Sequence, residues 1–97
     1  MGWTMSHGAG QRSYGGHEDL GHELAKVATQ EQWNTVAVLF NRRDGNPFPV
    51  TPADAGAMAK VFEAVDSLVP EYWRPAFRSL AAAARRAHTA RETWRWS

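Results

Sequence analysis

The chain of 97 residues contains no cysteine. This absence excludes disulfides, thiolate metal sites, cysteine nucleophiles and iron–sulfur clusters. No apolar run approaches the roughly 20 residues that a membrane span requires. The first residues also lack the charged start and the apolar centre of a secretory signal. We therefore expect a cytoplasmic protein that does not associate with membranes.

The residues that are present indicate one small domain. Hydrophobic side chains make up 43% of the chain, charged side chains make up 22%, and the net charge is +1. A chain of this length can bury one thin core. Its free energy of unfolding should be on the order of 5–10 kcal/mol, so a few core residues matter greatly.

Composition divides the chain into three segments. Residues 1–16 form an arm that holds five of the eight glycines. Because glycine costs backbone entropy to order, we expect loop or extended structure there, either as a short edge strand or as a disordered tail. Residues 17–90 form a helical domain, and residues 91–97 form a tail rich in tryptophan and arginine.

Apolar spacing and capping signals predict four helices, near residues 17–28, 30–43, 52–68 and 71–90. Thr29, followed three residues later by Gln32, has the spacing of a capping box. Thr51 and Pro52 are a typical helix start. Between the second and third helices, the prolines of residues 47–50 require an extended backbone.

The second helix is expected to be the central one, because Val38 and Leu39 widen its stripe until it is apolar almost all round. The expected core residues share seam positions on the helices: Leu20, Leu24, Val27, Trp33, Val36, Phe40, Met58, Val61, Phe62, Val65, Leu68, Trp73, Phe77 and Leu80. The predicted fold class is mostly α. It is a small single-domain bundle of about four helices, with a glycine-rich N-terminal arm that can add a short strand.

Charge is distributed unevenly along the chain. Residues 74–97 carry a net charge of +5, whereas residues 1–73 carry a net charge of −4. On a helix, Arg74, Arg78 and Arg85 project within about 40° of one another, and a basic helix face is a usual footprint of nucleic-acid binding. The candidate nucleic-acid-binding residues are Arg74, Arg78, Arg85, Arg86, Arg91 and Arg95. The alternative is a solvated face, or one that pairs with the chain's own acids, in a composition typical of a high-GC genome.

Five tryptophans exceed what a thin core needs. Trp3, Trp94 and Trp96 lie at the two ends of the chain, and tryptophan is enriched at interface hot spots. Together with the apolar second helix they define a candidate interface, which consists of Trp3, Val38, Leu39, Trp94 and Trp96. The alternative is that the two termini fold back and bury each other.

No motif of catalytic or metal-binding chemistry is recognisable. His17 and His22 approximate a zinc-helix pattern, but a spacing of five directs them about 140° apart, whereas zinc needs a spacing of four. Ser6 and Ser13 have no nucleophile motif around them. We therefore expect no catalytic residue, no metal, no cofactor and no small-molecule ligand, and we expect that the chain is not an enzyme.

Three stretches resemble a group of small bacterial proteins. They are the opening Met1-Gly2-Trp3-x-x-Ser6-His7-Gly8, the pair Ser13-Tyr14, and the segment Pro47-Phe48-Pro49-Val50-Thr51-Pro52-Ala53-Asp54-Ala55, which an amphipathic helix follows. The chain is in these respects similar to small uncharacterised proteins of Streptomyces-type actinobacteria. The resemblance implies a domain of unknown function, often associated with mobile elements or plasmids. It carries over no activity and no catalytic residue.

These observations predict a non-enzymatic protein-interaction or regulatory module whose partner is another protein or a second copy of itself. The surplus of terminal tryptophans and the apolar second helix favour a homo-oligomer. The alternative is a nucleic-acid-binding protein that uses the arginine-rich last helix and the tail.

Overall fold

Helices and short strands alternate along the chain, which the structure, a computed structural model, describes at residues 2–42 and 45–97. The strands are β1 (Gly2–Met5), β2 (Gly10–Ser13), β3 (Phe48–Val50) and β4 (Trp94–Trp96). The helices are α1 (Tyr14–Val27), α2 (Gln30–Asn41), α3 (Pro52–Ala64) and α4 (Arg74–Ala90), with a 3₁₀ turn at Glu71–Trp73. The predicted class, mostly α with about four helices and a short strand in the arm, is confirmed. The residues outside this description are Met1, Arg43 and Asp44, of which the last two were expected at the second helix end and the following turn.

The strands form one antiparallel sheet in the order β2-β1-β4-β3. β1 and β4 come from opposite ends of the chain. The backbone N–H of Thr4 donates to Ser97 O at 2.6 Å, and that of Ser97 donates to Thr4 O at 2.8 Å. β4 also pairs with β3, where Trp96 lies opposite Phe48. The glycine-rich arm, the tail and the extended segment before α3 therefore meet in a single sheet.

This sheet has one buried face and one face in solvent. The side chains on the buried face are Trp3, Met5, Phe48, Val50, Trp94 and Trp96. Alternate residues point the other way, and Thr4, Pro49 and Arg95 are exposed there. Each strand has only three or four residues, so the alternation is too short for periodicity to reveal the sheet in the sequence.

Side-chain caps place the helix starts. Ser13 Oγ accepts a hydrogen bond from the N–H of Gly16 at 3.1 Å, so α1 begins at Tyr14, earlier than predicted. Thr29 and Gln32 form the predicted capping box, with hydrogen bonds of 3.1 and 2.8 Å. α3 begins at the predicted proline.

α3 is shorter than its apolar stripe predicts. It ends at Ala64, because the N–H of Leu68 donates to Val65 O only three residues back and tightens the chain into a turn. Leu68 thereby leaves the helix face, and its side chain is 58% exposed, so its assignment to the core was wrong. α4 follows the 3₁₀ turn, with Pro75 in its first turn, where a missing N–H is tolerated.

α2 is not the central helix that its composition predicts. Of its side chains, Val36 and Leu39 are buried, while Val38 is 45% exposed. Trp33 and Phe40 are half-buried and stack on each other with ring centres 5.9 Å apart. The helix packs by one face only, because the sheet and the α3–α4 pair occupy the centre of the domain.

α3 and α4 make the most extensive contact between any two elements of the described ranges. Small side chains let the two backbones approach closely, and the buried alanines of the two helices are Ala55, Ala59, Ala81, Ala83, Ala84 and Ala87. His88 Nδ1–H donates to Pro52 O at 2.9 Å. A Cβ at position 56 would lie 2.5 Å from His88 Nδ1, so the approach requires Gly56.

Most of the predicted core is confirmed. The predicted residues that are buried are Leu20, Leu24, Val36, Met58, Val61, Phe62, Val65, Phe77 and Leu80. Those that are half-buried and packed against this core are Val27, Trp33, Phe40 and Trp73.

An aromatic cluster joins the sheet to the helices. The ring of Trp96 lies 5.1 Å from that of Trp94, 5.6 Å from that of Phe48 and 6.1 Å from that of Trp3, centre to centre. Trp94 also donates its Nε1–H to Ser6 O at 3.2 Å. Because each ring buries a large apolar area, this cluster anchors β4 in the interior.

Trp96→Ala should lower the free energy of unfolding by about 3–5 kcal/mol, because truncation leaves a cavity in this cluster. Arg95→Ala, on the open face of the same strand, should change it by less than about 0.5 kcal/mol. Urea denaturation followed by circular dichroism measures both values. Equal effects of the two substitutions would contradict the burial of β4.

Candidate functional site

The candidate interface lies mostly in the interior. Trp3, Leu39, Trp94 and Trp96 are buried within the single chain, so they offer no surface to a partner. Val38 is on the surface of α2. The terminal tryptophans follow the alternative in which the two chain ends fold back and bury each other.

Two arginines of α4 form ion pairs with acids of α3 and the turn after it. Arg78 binds Asp66 through Nε and Nη2, both at 2.8 Å, and Arg85 binds Glu63 at 3.3 and 2.6 Å. Both are two-point contacts between a guanidinium and a carboxylate. The hydrogen bonds from Arg78 lower the pKa of Asp66, and those to Glu63 raise the pKa of Arg85. Neighbouring acids thus neutralise part of the basic helix face.

Two further arginines bind backbone carbonyls. Arg74 donates to two carbonyls of the α3–α4 connector, at 3.2 and 3.4 Å, and Arg86 donates its Nε–H to His7 O at 2.8 Å. The side chains of Arg91 and Arg95 are exposed and have no hydrogen bond or ion pair within the described ranges. The structure therefore does not bring the six candidate arginines together as one unpaired face.

An exposed apolar surface lies in the connector between α3 and α4. Leu68 is 58% exposed, Tyr72 is 83% exposed, and the Tyr72 ring packs edge-on against half-buried Trp73 at 5.1 Å. We call Leu68, Tyr72 and Trp73 the connector patch. Large apolar side chains exposed within a few residues of one another are a candidate interaction site. Sequence reasoning missed this patch because it placed Leu68 and Trp73 on buried seams; the helix-breaking Pro70 between them was the available signal.

Hydrogen bonds connect the turn after β1 to the end of α4. Ser6 Oγ lies 2.8 Å from His7 Nδ1, and His7 Nε2 lies 3.0 Å from Glu92 Oε1. The backbone N–H of Arg95 donates to Ser6 Oγ at 2.9 Å. His7 and Glu92 are 85 residues apart, so no local motif joins them and sequence reasoning did not find the set. We call Ser6, His7 and Glu92 the relay.

His17 is a buried histidine at the junction of α1, α2 and the sheet. Its Nε2–H donates to Leu39 O at 2.7 Å, and its ring stacks on Phe40 at 4.6 Å. Burial lowers the pKa of His17 below its usual 6.5; the Leu39 carbonyl opposes the shift, and the positive charge of Arg12 adds to it. The ring lines a cleft of about 230 Å³ beside Trp3. A neutral imidazole is therefore part of the folded core.

Metal ligands do not gather in the part of the chain that the structure describes. There, no group of three or more histidine, aspartate or glutamate side chains could hold a metal ion. His17 and His22, the pair with near-zinc spacing, are buried and exposed respectively. Within residues 2–42 and 45–97, no helix combines the length and the apolar character needed to cross a membrane.

These features define a class of protein: a mostly helical domain whose two chain ends close a four-stranded antiparallel sheet. The chain matches the family described as Domain of unknown function (DUF7739) over residues 4–97. Because the match spans nearly the whole chain, the protein belongs to this family. Searches of the curated proteins and of the solved structures gave no significant match.

The free energy of unfolding should fall as the pH drops below 6.5, the usual pKa of histidine. In that range the unfolded chain binds a proton at His17, whereas burial keeps the folded chain from binding one. The free energy of unfolding therefore falls by up to about 1.4 kcal/mol for each pH unit, until the pH reaches the lowered pKa of the folded state. About one pH unit above 6.5 both states are almost entirely neutral at His17, and the dependence disappears. Urea denaturation at about pH 7.5 and about pH 5.5 measures the difference.

His17→Gln should remove this contribution, whereas His22→Gln, a change at an exposed histidine, should keep it. An equal pH dependence in the wild-type chain and the His17→Gln variant would show that His17 is not the group responsible.

Proposed function

We propose that the protein is an interaction module that binds a second copy of itself through the connector patch. The exposure of Tyr72 and Leu68 carries this proposal. The domain buries three terminal tryptophans that could have formed an interface, yet leaves these two large apolar side chains in water. Covering them would remove apolar area from water, which is the main driving force of association.

The chemistry of the patch suits a protein partner. Tyrosine combines a broad apolar ring with a hydroxyl group, and it is enriched at interface hot spots. Trp73 already holds the Tyr72 ring edge-on, so that ring loses little freedom when it is covered. In a two-fold dimer the connector patch of one copy contacts the same patch of the other copy. An apolar patch suits this arrangement, because it can pack against itself and needs no opposite charge across the interface. Such binding needs no catalytic step.

Several finer expectations remain predictions. They are the regulatory role, the cytoplasmic location and the kinship with actinobacterial proteins of mobile elements. Membership of the family supports only the statement that the chain is a domain of unknown function, because the family description names no activity.

Replacing both exposed residues, as Leu68→Ser with Tyr72→Ser, should weaken self-association at least about tenfold, since hot-spot truncations cost more than about 1 kcal/mol each. Sedimentation velocity over a series of protein concentrations measures the dissociation constant. Val38→Ser is the matched control, because it removes an exposed apolar side chain from α2 and should leave the constant unchanged.

Two results would contradict the proposal. One is a wild-type chain that stays monomeric at every concentration. The other is a Val38→Ser variant that weakens association as much as the double substitution does. Circular dichroism of each variant confirms that the fold is retained.

Nucleic-acid binding is the second candidate function, supported by the exposed, unpaired side chains of Arg91 and Arg95. Four of the six candidate arginines are already engaged within the chain. A site with two free cations can neutralise few phosphates, and affinity for nucleic acid depends on that number. We therefore rank this function below self-association.

Fluorescence anisotropy of labelled duplex and single-stranded DNA should show no binding, even at low salt. Anisotropy is the appropriate signal because Trp94 and Trp96 are buried and cannot report contact by quenching. Binding that disappears at high salt, and in Arg91→Gln with Arg95→Gln but not in Arg78→Gln, would instead favour the nucleic-acid function.

A further inference from the structure

We propose that the relay of Ser6, His7 and Glu92 makes Ser6 a nucleophile that accepts the acyl group of a small carboxylic ester or thioester. The inference goes beyond self-association and does not rest on the connector patch. It replaces the expectation, drawn from the sequence, that the chain is not an enzyme. A hydroxyl within hydrogen-bond reach of an imidazole, which a third group orients, is the geometric signature of an activated nucleophile. The two distances of the relay, 2.8 and 3.0 Å, satisfy it.

The partners of the imidazole determine where its proton lies. Glu92 offers a carboxylate acceptor to His7 Nε2, so we assign the proton to Nε2 and the lone pair to Nδ1. Ser6 Oγ already accepts the backbone N–H of Arg95, which leaves its own hydrogen free to point to Nδ1. His7 Nδ1 can therefore act as a base towards Ser6, while the Glu92 carboxylate orients the imidazole from its other nitrogen. Serine hydrolases divide the roles of base and orienting carboxylate in the same way.

The backbone holds the base in an unfavourable conformation. His7 has a φ of 61°, in the left-handed region that residues with a side chain rarely adopt. Such strained positions concentrate at functional sites. Arg86 maintains the turn by donating to His7 O, and the next residue, Gly8, has a φ of 89°, a conformation in which a side chain would be strained.

The side-chain bonds of the relay are not needed to fasten this turn. Three hydrogen bonds at the backbone of residues 6 and 7 already tie them to the C-terminal part of the chain: Ser6 N–H donates to Arg95 O, Trp94 Nε1–H donates to Ser6 O, and Arg86 Nε–H donates to His7 O. In the pair of His7 and Glu92 the side chains are 18% and 62% exposed, and an ion pair with one partner in water adds only modest stability. The imidazole of His7 therefore contributes little to the stability of the turn.

A substrate has access to the relay. Ser6, His7 and Glu92 line an open depression of about 350 Å³, together with Thr93 and Arg95. The volume suits a short acyl group with its leaving group, and Arg95 contributes a positive charge to the rim. An open site of this kind predicts modest activity with small, activated acyl donors.

The chemical step balances without any further cofactor. Ser6 Oγ attacks the carbonyl carbon while its proton passes to His7 Nδ1. The bond from that carbon to the leaving oxygen or sulfur breaks, and Nδ1 gives the proton to the leaving group. Water then attacks the acyl-serine by the same route, its proton passing to Nδ1 and on to Ser6 Oγ. The products are the free acid and the alcohol or thiol.

p-Nitrophenyl acetate tests the proposal. Nitrophenolate release gives the rate, and peptide mass spectrometry locates the acetyl group. We expect acetylation at Ser6, its loss in Ser6→Ala, and a fall of about 100-fold in His7→Gln, the usual size of a general-base contribution. Glu92→Gln should cause a smaller loss. His22→Gln, a change at an exposed histidine outside the relay, should leave the rate unchanged.

Acetylation of Ser6 no faster than that of exposed Ser67, or a rate that His7→Gln leaves unchanged, would overturn the proposal. In either case the relay is only a polar contact between the turn and α4. That outcome would not bear on the proposal of self-association, because that proposal is tested with substitutions in the connector patch.

Single-thiol variants give a test that does not depend on the folding of Ser6→Ala. The chain has no cysteine, so Ser6→Cys and Ser67→Cys each carry one thiol. The thiolate is the reactive form, and the imidazole would take the thiol proton at position 6 only. Ser6→Cys should react with iodoacetamide at least about tenfold faster than Ser67→Cys, and adding His7→Gln should abolish the advantage. Equal rates would overturn the proposal.

Discussion

The pairing of the two chain ends is the contact on which the rest of the structure depends. β4 lies between β1 and β3 and pairs with both, so the sheet would separate into two parts without it. Its two tryptophans, Trp94 and Trp96, are fully buried against the helices. In a domain of this size a few such side chains supply a large share of the apolar area removed from water. The N-terminal turn is held in place by the same pairing.

The packing of α3 against α4 determines the charge and the exposed apolar side chains of the surface. Alanines bring the two helices close together, and this approach places the carboxylates of Glu63 and Asp66 beside Arg85 and Arg78. A face that looks strongly basic in the sequence is therefore partly neutralised in the fold. The early end of α3 has the opposite consequence, because it turns Leu68 out of the core and into solvent. Both surface properties follow from how two helices meet.

Local signals predicted much of the fold. The capping box at Thr29, the start of α3 and the extended segment before it all depend on residues within about four positions of one another, and all were correct. The central position of α2 was wrong, because its apolar composition does not reveal which elements compete for the core. The sheet was foreseen only as a short strand in the arm, since pairing between distant strands of three or four residues leaves no periodic signal.

The sequence by itself determined the helices, most of the core and the absence of thiol chemistry, because these depend on composition and on neighbouring residues. Only the tertiary structure decided which tryptophans are buried, which arginines are paired and which carboxylate meets His7. Glu92 reaches that histidine across 85 residues because the chain ends pair in the sheet. The relay therefore depends on contacts between residues far apart in the chain, and such contacts form only when the whole core is buried at once.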